Sequence, residues 1–460
     1  LSLSIDNTTF SSFHFVGILG AGMSAIAQFL RWEGYAVSGS DRSLDANHTV
    51  FVRDRLADIG CSLHEQDGSG VTADTGCLVA STAIESSNPD IARAQQLGIA
   101  IFHRSEVLAA IAATRRTVAV AGTSGKSSVS AMIFHALKGC GKSPSLITGA
   151  NLNELISRGM VGNAYHGDSD LLVIEADESD GSLVRYSPAL SVFLNVSKDH
   201  KPVPEVIEMF KTLAMQSSQS VVNDDVPEFE QLRRTATFGA SSSVTYRASA
   251  LQAFCDTAAV TVDGTWYTMS QPGMHNAWNL LATVASCLQL RCRPEDLSKV
   301  IPGYGGIQRR FDLRRTRNDV IVIDDYAHNP DKIHAAVTTA HMLAERLFVL
   351  FQPHGFGPTR FMREELVGVF RDVLKKQDRL YLLPIYYAGG TADRSISSAD
   401  LANDLSDSPA TILAPDDRDE ALREIAEKAK AGDAVLSMGA RDPSLASFAR
   451  RIAEAIDERG

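Results

Sequence analysis

"TVAVAGTSGKSSVSAMIFHAL", residues 117–137, decides how the rest of the chain is read. The apolar run "TVAVAG" suits a buried strand, and "KSSVSAMIFHAL" carries the apolar spacing of a helix. A helix that starts straight after a strand leaves its first N–H groups unpaired. It also turns the positive end of its dipole outward, and both features attract phosphate. Gly122 and Gly125 let the loop backbone come close, with Thr123 and Ser124 between them. Lys126 can neutralise β- and γ-phosphate oxygens, while Ser127, followed by Ser128, offers a hydroxyl to Mg²⁺. A full P-loop has one more glycine five positions before Gly125, where Val120 stands. The competing reading is a structural strand–helix turn with a solvated lysine. The strand before and the helix after favour phosphate.

Working outward, apolar runs alternate with helical patterns along all 460 residues. "FHFVGIL", "AVSGSD" and "CLVAST" read as strands of a first unit, and "TVAVAG", "LLVIEAD" and "LSVFLNV" as strands of a second. "VIVIDDY", "LFVLFQP", "RLYLLPIYY" and "AVLSMGA" belong to a third. Short Val-, Ile- and Leu-rich runs of this kind suit parallel sheets covered on both faces. The expected fold is α/β in three domains, in line with about 150 residues per domain. These are a Rossmann-like domain over 1–112, a central P-loop ATPase-type domain over 113–308 and a Rossmann-like domain over 309–460. A net charge of −11 argues against a nucleic-acid coat. No apolar stretch is long enough to span a bilayer, and the polar start lacks the cationic region of a secretory signal. Six scattered cysteines without metal spacing fit a reducing cytoplasm.

Further clusters sit where strands end. "GILGAGMSA" makes G-x-G-x-x-A from Gly20, Gly22 and Ala25, and Asp41 ends the next strand. That is a dinucleotide fingerprint with its ribose acid, open to NAD, to another diphosphate, or to a tight turn with no ligand. "LLVIEADESDG" supplies Glu175, Asp177, Glu178 and Asp180, and "FLNVSKDH" supplies Asp199 and His200. Acids at two strand ends beside a phosphate loop suit Mg²⁺, or simply form solvated turns. "QPGMHNAWN" places Asn276 and Asn279 at a helix start, to cap it or to pair with a purine edge. "VIVIDDYAHNPDKI" and "LFVLFQPHGFGPTR" carry Asp325, His328, Asn329, His354 and Arg360, expected on neighbouring strand ends.

Taken in order, "GAGMSAIA" with "SGSD", "STAIESSNP", "GTSGKSS", "EADESDGS", "NVSKDH", "GMHNAWN", "RRFD", "DDYAHNPDKI", "FQPH" and "MGA" resemble the Mur ligase family across nearly the whole chain. The family loop is G-T-x-G-K-[ST], which accounts for Val120. The resemblance implies an ATP-dependent amide ligase of peptidoglycan precursor synthesis, in the cytoplasm, as a monomer or homodimer. It would join an amino acid, L-alanine first, to the carboxylate of UDP-N-acetylmuramate through an acyl phosphate.

It implies UDP-substrate contacts at Gly20, Ala21, Gly22, Met23, Ser24, Asp41 and Ser81. ATP contacts would come from Gly122, Thr123, Ser124, Gly125, Lys126, Ser127 and Ser128, with Asn276, Asn279, Arg310 and Asp325. Mg²⁺ would be held by Ser127, Glu175 and His200. Lys126, Glu175, His200, Arg310 and His354 would carry the chemistry, with His328, Asn329, His354 and Arg360 on the amino-acid side. Ser124 stands where the alanine-adding branch usually has a histidine, so a paralogue adding another amino acid or a recycled peptide stays open. Outside the family, an NAD-linked dehydrogenase would explain the first loop but leaves "GTSGKSS" and the acidic strand ends unexplained, while a non-catalytic nucleotide-binding or regulatory protein draws support from the departures from the family pattern.

Overall fold

A computed structural model describes every residue except 47, 48, 199, 200, 388–392, 441, 443 and 460. Asp199 and His200, expected at the metal, therefore lie outside the described residues. Three main sheets are present. The first runs Ser62–His64, Ala36–Ser40, Ser12–Val16, Cys77–Ala80, Ala100–His103, all parallel. Its chain starts in the middle, winds to one edge and returns to fill the other. The order thus reverses between Ser12–Val16 and Cys77–Ala80, where open parallel sheets leave a crevice for ligands.

The second sheet has ten strands, with Arg116–Ala121 flanked in parallel by Leu171–Ala176 and Leu190–Phe193. Its far side departs from the expectation. Residues 236–269 form four more strands, Ala236–Gly239, Tyr246–Ala253, Ala258–Val262 and Thr265–Met269, where no apolar run points to one. Tyr246–Ala253 and Thr265–Met269 are part-exposed, as expected of strands with one wet face, while Ala236–Gly239 and Ala258–Val262 are mostly buried but built largely on Ala, Thr and Gly. Asp263 and Gly264, with φ of 48° and 80°, make the two-residue turn between the last two. Asp-Gly is the sequence signal for such a hairpin.

The third sheet runs Asp312–Arg315, Ile321–Asp325, Ala434–Met438, Leu347–Phe351, Arg379–Leu382, Thr411–Leu413, with only the first strand antiparallel.

These sheets fall into two compact units. One comprises Leu1–Leu251, Ala259–Met269 and Trp278–Ile307; the other comprises Gln252–Ala258, Ser270–Ala277 and Gln308–Gly460. In the first unit one apolar core runs from the first sheet into the second, joining Phe29 and Leu30 to Ile147, Ala164 and Leu172. In the second, separate cores fill the two faces of the sheet. No helix among the described residues is long and apolar enough to cross a membrane.

A polar tie crosses the first unit's core. Asn163, fully buried, donates from Nδ2 to Ala21 O (2.7 Å) and Ser24 Oγ (2.9 Å), and accepts from Gln28 Nε2 at 2.8 Å. It fixes the helix Ala21–Trp32, and with it the glycine loop, against the second sheet. Asn163→Leu keeps most of the volume but removes three hydrogen bonds, leaving only the weaker Ser24 Oγ–Ala21 O bond (3.2 Å) and the Gln28 Nε2–Ser24 O bond (3.0 Å). Each lost hydrogen bond is worth about 0.5–1.5 kcal/mol net, so urea denaturation of the variant is expected to show a loss of about 3 kcal/mol. A loss below about 1 kcal/mol would mean the tie is dispensable.

Candidate functional site

The central strand and its two neighbours bring their carboxyl ends together, and each end contributes to the phosphate loop. Asn195, after Leu190–Phe193, clamps the loop. Its Oδ1 accepts from Ser124 N (2.9 Å) and Thr123 Oγ1 (3.2 Å), and its Nδ2 donates to Ser124 O (3.0 Å). Gly125 has φ of 85°, and a Cβ there would stand 2.6 Å from Asn279 Oδ1. Only glycine fits, on both backbone and steric grounds. Ser128 follows Ser127 in the first turn of the helix Lys126–Gly139. Ser124 Oγ is buried and has no hydrogen-bond partner among the described residues.

Lys126 Nζ donates to Gly122 O (2.8 Å) and to Glu178 Oε2 (2.6 Å), with Asp177 at 3.8 Å. Burial works against the charge of the lysine, but the carboxylates of Glu178 and Asp177 outweigh it and hold its pKa above the ordinary value. The cation is therefore kept charged inside the protein. Ser127 Oγ donates to Glu175 Oε2 at 2.9 Å, while Glu175 Oε1 accepts from Gly149 N (3.0 Å) and from Thr148 Oγ1. A hydroxyl and a carboxylate side by side are oxygen donors of the kind Mg²⁺ takes. Among the described residues no three His, Cys, Asp or Glu side chains are grouped to hold a metal by themselves.

The first sheet presents its loop at the switch point. Gly17 N and Ile18 N donate to Ser40 O, and Asp41 accepts from Leu19 N of the loop through Oδ2 (3.0 Å) and from Ser43 N of its own turn through Oδ1 (2.9 Å). Asp41 thus shapes the loop from its own side. Gly20, Ala21 and Gly22 lead into the helix, with Met23 and Ser24 buried, and Ser81 Oγ accepts from Ala83 N (3.4 Å) on the loop across the crevice. Arg104 is a cation that motif reading misses, since "HRSEVL" carries no signature. It lies against Gly22 and pairs with Asp180 at 3.1 Å.

In the second unit, the strands that end in "DDYAHNP" and "FQPH" are not neighbours, contrary to expectation; Ala434–Met438 runs between them. Their loops still meet, because the connections fold over the intervening strand end: the rings of His328 and His354, both buried, lie 5.1 Å apart. His328 Nδ1 donates to Tyr326 O at 2.8 Å. Asp325 accepts from Phe311 N and Ala327 N, both at 2.7 Å, so it pins the chain on either side. Arg310 stacks over the Tyr326 ring at 4.7 Å. Asn329 caps the helix Pro330–Ala340, and exposed Arg360 binds Asp393 (2.7 Å) and Ser395 (2.5 Å). Asn276 Nδ2 donates to Pro272 O at 2.8 Å, closing the turn at its helix start.

Models of three family domains match in series: Mur ligase family, catalytic domain, over 12–116; Mur ligase middle domain over 120–287; and Mur ligase, glutamate ligase domain, over 309–441. A UDP-N-acetylmuramate–L-alanine ligase of Streptomyces griseus is 34% identical over 452 residues, covering 93% of this chain and 94% of its own. The chain belongs to the Mur ligase family.

Another relative, the UDP-N-acetylmuramate–L-alanine ligase of Nitratidesulfovibrio vulgaris, is 34% identical over 448 residues, covering 93% of this chain and 95% of its own. Among solved structures, the UDP-N-acetylmuramate–alanine ligase of Thermotoga maritima shares the fold, with a TM-score of 0.78 at 23% identity over 98% of this chain and all of that one. A murein peptide ligase of Psychrobacter arcticus does so with a TM-score of 0.70 at 20% identity, over 97% and 99%. Membership in the Mur ligases makes the chain an ATP-dependent amide ligase of peptidoglycan precursor synthesis.

Two expectations follow from this geometry. Gly125→Ala forces a side chain into a left-handed position against Asn279, so calorimetric titration with ADP is expected to show at least tenfold weaker binding; wild-type affinity would show the loop to be indifferent to its own shape. The second concerns buried Asp324, which burial pushes up to about 6 although Arg309 stands 3.4 Å away. Between the ordinary carboxylate value and that one, the folded chain holds a proton the unfolded chain has released. The contribution of Asp324 to stability is therefore present at acid pH and lost as pH rises through about 6. Melting curves from pH 4 to 8 should show Asp324→Asn gaining on the parent by about 2 kcal/mol as pH rises. A constant difference across that range would contradict it.

Proposed function

We propose that this Mur ligase joins L-alanine to the lactyl carboxylate of UDP-N-acetylmuramate. The observation that carries the proposal is the phosphate loop with its charged Lys126 set beside Glu175 and Ser127, in a chain 34% identical end to end to ligases named for that reaction. The Gly20–Ser24 loop, Asp41 and Ser81 are assigned to the UDP moiety. Gly122–Ser128 would receive the ATP phosphates, with Asn276 and Asn279 toward the adenine.

Lys126 would exchange part of its contact with Glu178 for a phosphate oxygen. Its charge, already secured in the protein, then offsets the negative charge that spreads over the transferring group. The substrate carboxylate oxygen attacks the γ-phosphorus and the bond to the bridging oxygen of ADP breaks. The neutral amine nitrogen of the amino acid then attacks the acyl carbon, the bond from that carbon to the phosphate oxygen breaks, and the nitrogen gives up a proton as phosphate leaves. Ser127 and Glu175 fit Mg²⁺ by donor type, with His200 as the further expected ligand; when bound, the ion supplies charge neutralisation at the phosphates. Arg310, Asp325, His328, Asn329, His354 and Arg360 are assigned to phosphate and amino-acid handling. Among them Arg310 and Arg360 are the cations, and the His328–His354 pair presents the imidazoles.

The test is product mass. Purified protein with ATP, Mg²⁺, UDP-N-acetylmuramate and single amino acids or the tripeptide should yield an alanyl adduct with one phosphate released per amide. An adduct only with another amino acid, or with the peptide, would replace this reading by that of a paralogue. Lys126→Ala is expected to reduce phosphate release at least a thousandfold. If amide formation continued in that variant, Lys126 would not hold the transferring group.

A further inference from the structure

Arg104 occupies a position that its own surroundings do not justify. It is the first residue of the helix Arg104–Ala113, and its guanidinium lies on the first turn of another helix, Ala21–Trp32. A Cβ at Gly22 would stand 2.9 Å from Arg104 Nη1 and 3.6 Å from Cζ, so the group rests directly on the loop backbone. Helix starts carry positive partial charge, and a cation at one is unfavourable. The start of Arg104–Ala113 is already capped by His103 and Glu106, but that of Ala21–Trp32 has no side-chain cap and lies directly under the guanidinium.

Asp180 offsets part of that repulsion, accepting from Nη2 at 3.1 Å, with the arginine and aspartate side chains 29% and 12% exposed. Partly exposed ion pairs of this kind contribute little by themselves, so the pair alone does not explain the placement. Nη1 and Nε make no hydrogen bond among the described residues, and Nη1 is the nitrogen nearest Gly22. An anion at the uncapped start of Ala21–Trp32 would be met by both the guanidinium and the helix's first N–H groups.

We propose that Arg104 is a diphosphate-binding residue of the first domain, with Asp180 as the positioning residue that holds its other edge. This rests on reading the Gly20–Ser24 loop as the UDP site. The guanidinium is a planar fork: Nη2 can stay on Asp180 while Nη1 reaches a phosphate oxygen, so binding needs no rearrangement of the ion pair. Asp180 belongs to the same turn as Asp177 and Glu178, which hold Lys126. One acidic turn thus aims the cations of both phosphate loops.

Calorimetric titration of the full chain with UDP and with UMP tests this, since the two probes differ by one phosphate. The wild type should prefer UDP. Arg104→Ala is expected to weaken UDP ten- to a hundredfold and UMP much less, collapsing the preference; Arg104→Lys should restore part of it. Asp180→Ala should weaken UDP about threefold to tenfold, and add nothing in the Arg104→Ala background. ADP titration of each variant checks that the fold and the second loop are intact. An unchanged UDP-to-UMP ratio in Arg104→Ala, with ADP binding preserved, would overturn the proposal. Wild type that binds ADP but neither uridine nucleotide would instead overturn the reading of the loop itself.

Discussion

The ion pair between Lys126 and Glu178, 2.6 Å apart and largely shielded from water, is the constraint around which the first unit is arranged. A lysine at that depth is tolerable only with its countercharge in place. The countercharge comes from a turn that a different strand must deliver. Register does this: Ala121 pairs with Ala176 on one side and Phe193 on the other. All three strands therefore stop at the same level. The loop, the acidic turn and the Asn195 clamp follow at once beyond it. A parallel sheet with its faces covered holds these ends rigidly, which a set of surface loops could not.

The same logic recurs in the second unit with carboxylates in place of the lysine. Asp325 spends both oxygens on backbone N–H groups at residues 311 and 327. Asp324 is buried with one oxygen unpartnered among the described residues, which leaves its charge costly at neutral pH. Two adjacent acids thus do opposite things. One organises the loops that carry Arg310 and His328, and the other stores an electrostatic penalty beside Arg309.

Much of this was legible in the residues. Motifs such as "GTSGKSS" and "EADESDGS" are local, and their chemistry follows from residue type at fixed spacing. The ten apolar runs read as strands all became strands, because Val- and Ile-rich runs have nowhere else to go in a covered sheet. The four strands within 236–269 escaped that rule, since two are part-exposed and two are built largely on Ala, Thr and Gly, so none shows a Val-, Ile- or Leu-rich run. Asp263–Gly264 was their only strong local signal. Arg104 and Asn163 were also invisible: each is a single common residue whose meaning lies in what the fold sets against it.

By itself, then, the sequence determined the fold class, the phosphate loop and the family, because those depend on interactions between residues close along the chain or on many motifs kept in order. Tertiary structure alone decided that Ala434–Met438 separates the two polar strand ends, that Asp41 turns inward to its loop, and that one acidic turn serves the cations of two loops. The physical reason is distance along the chain. Strand order and countercharge pairing join residues tens to more than a hundred positions apart, and no local pattern records which partner a strand end or a buried charge will meet.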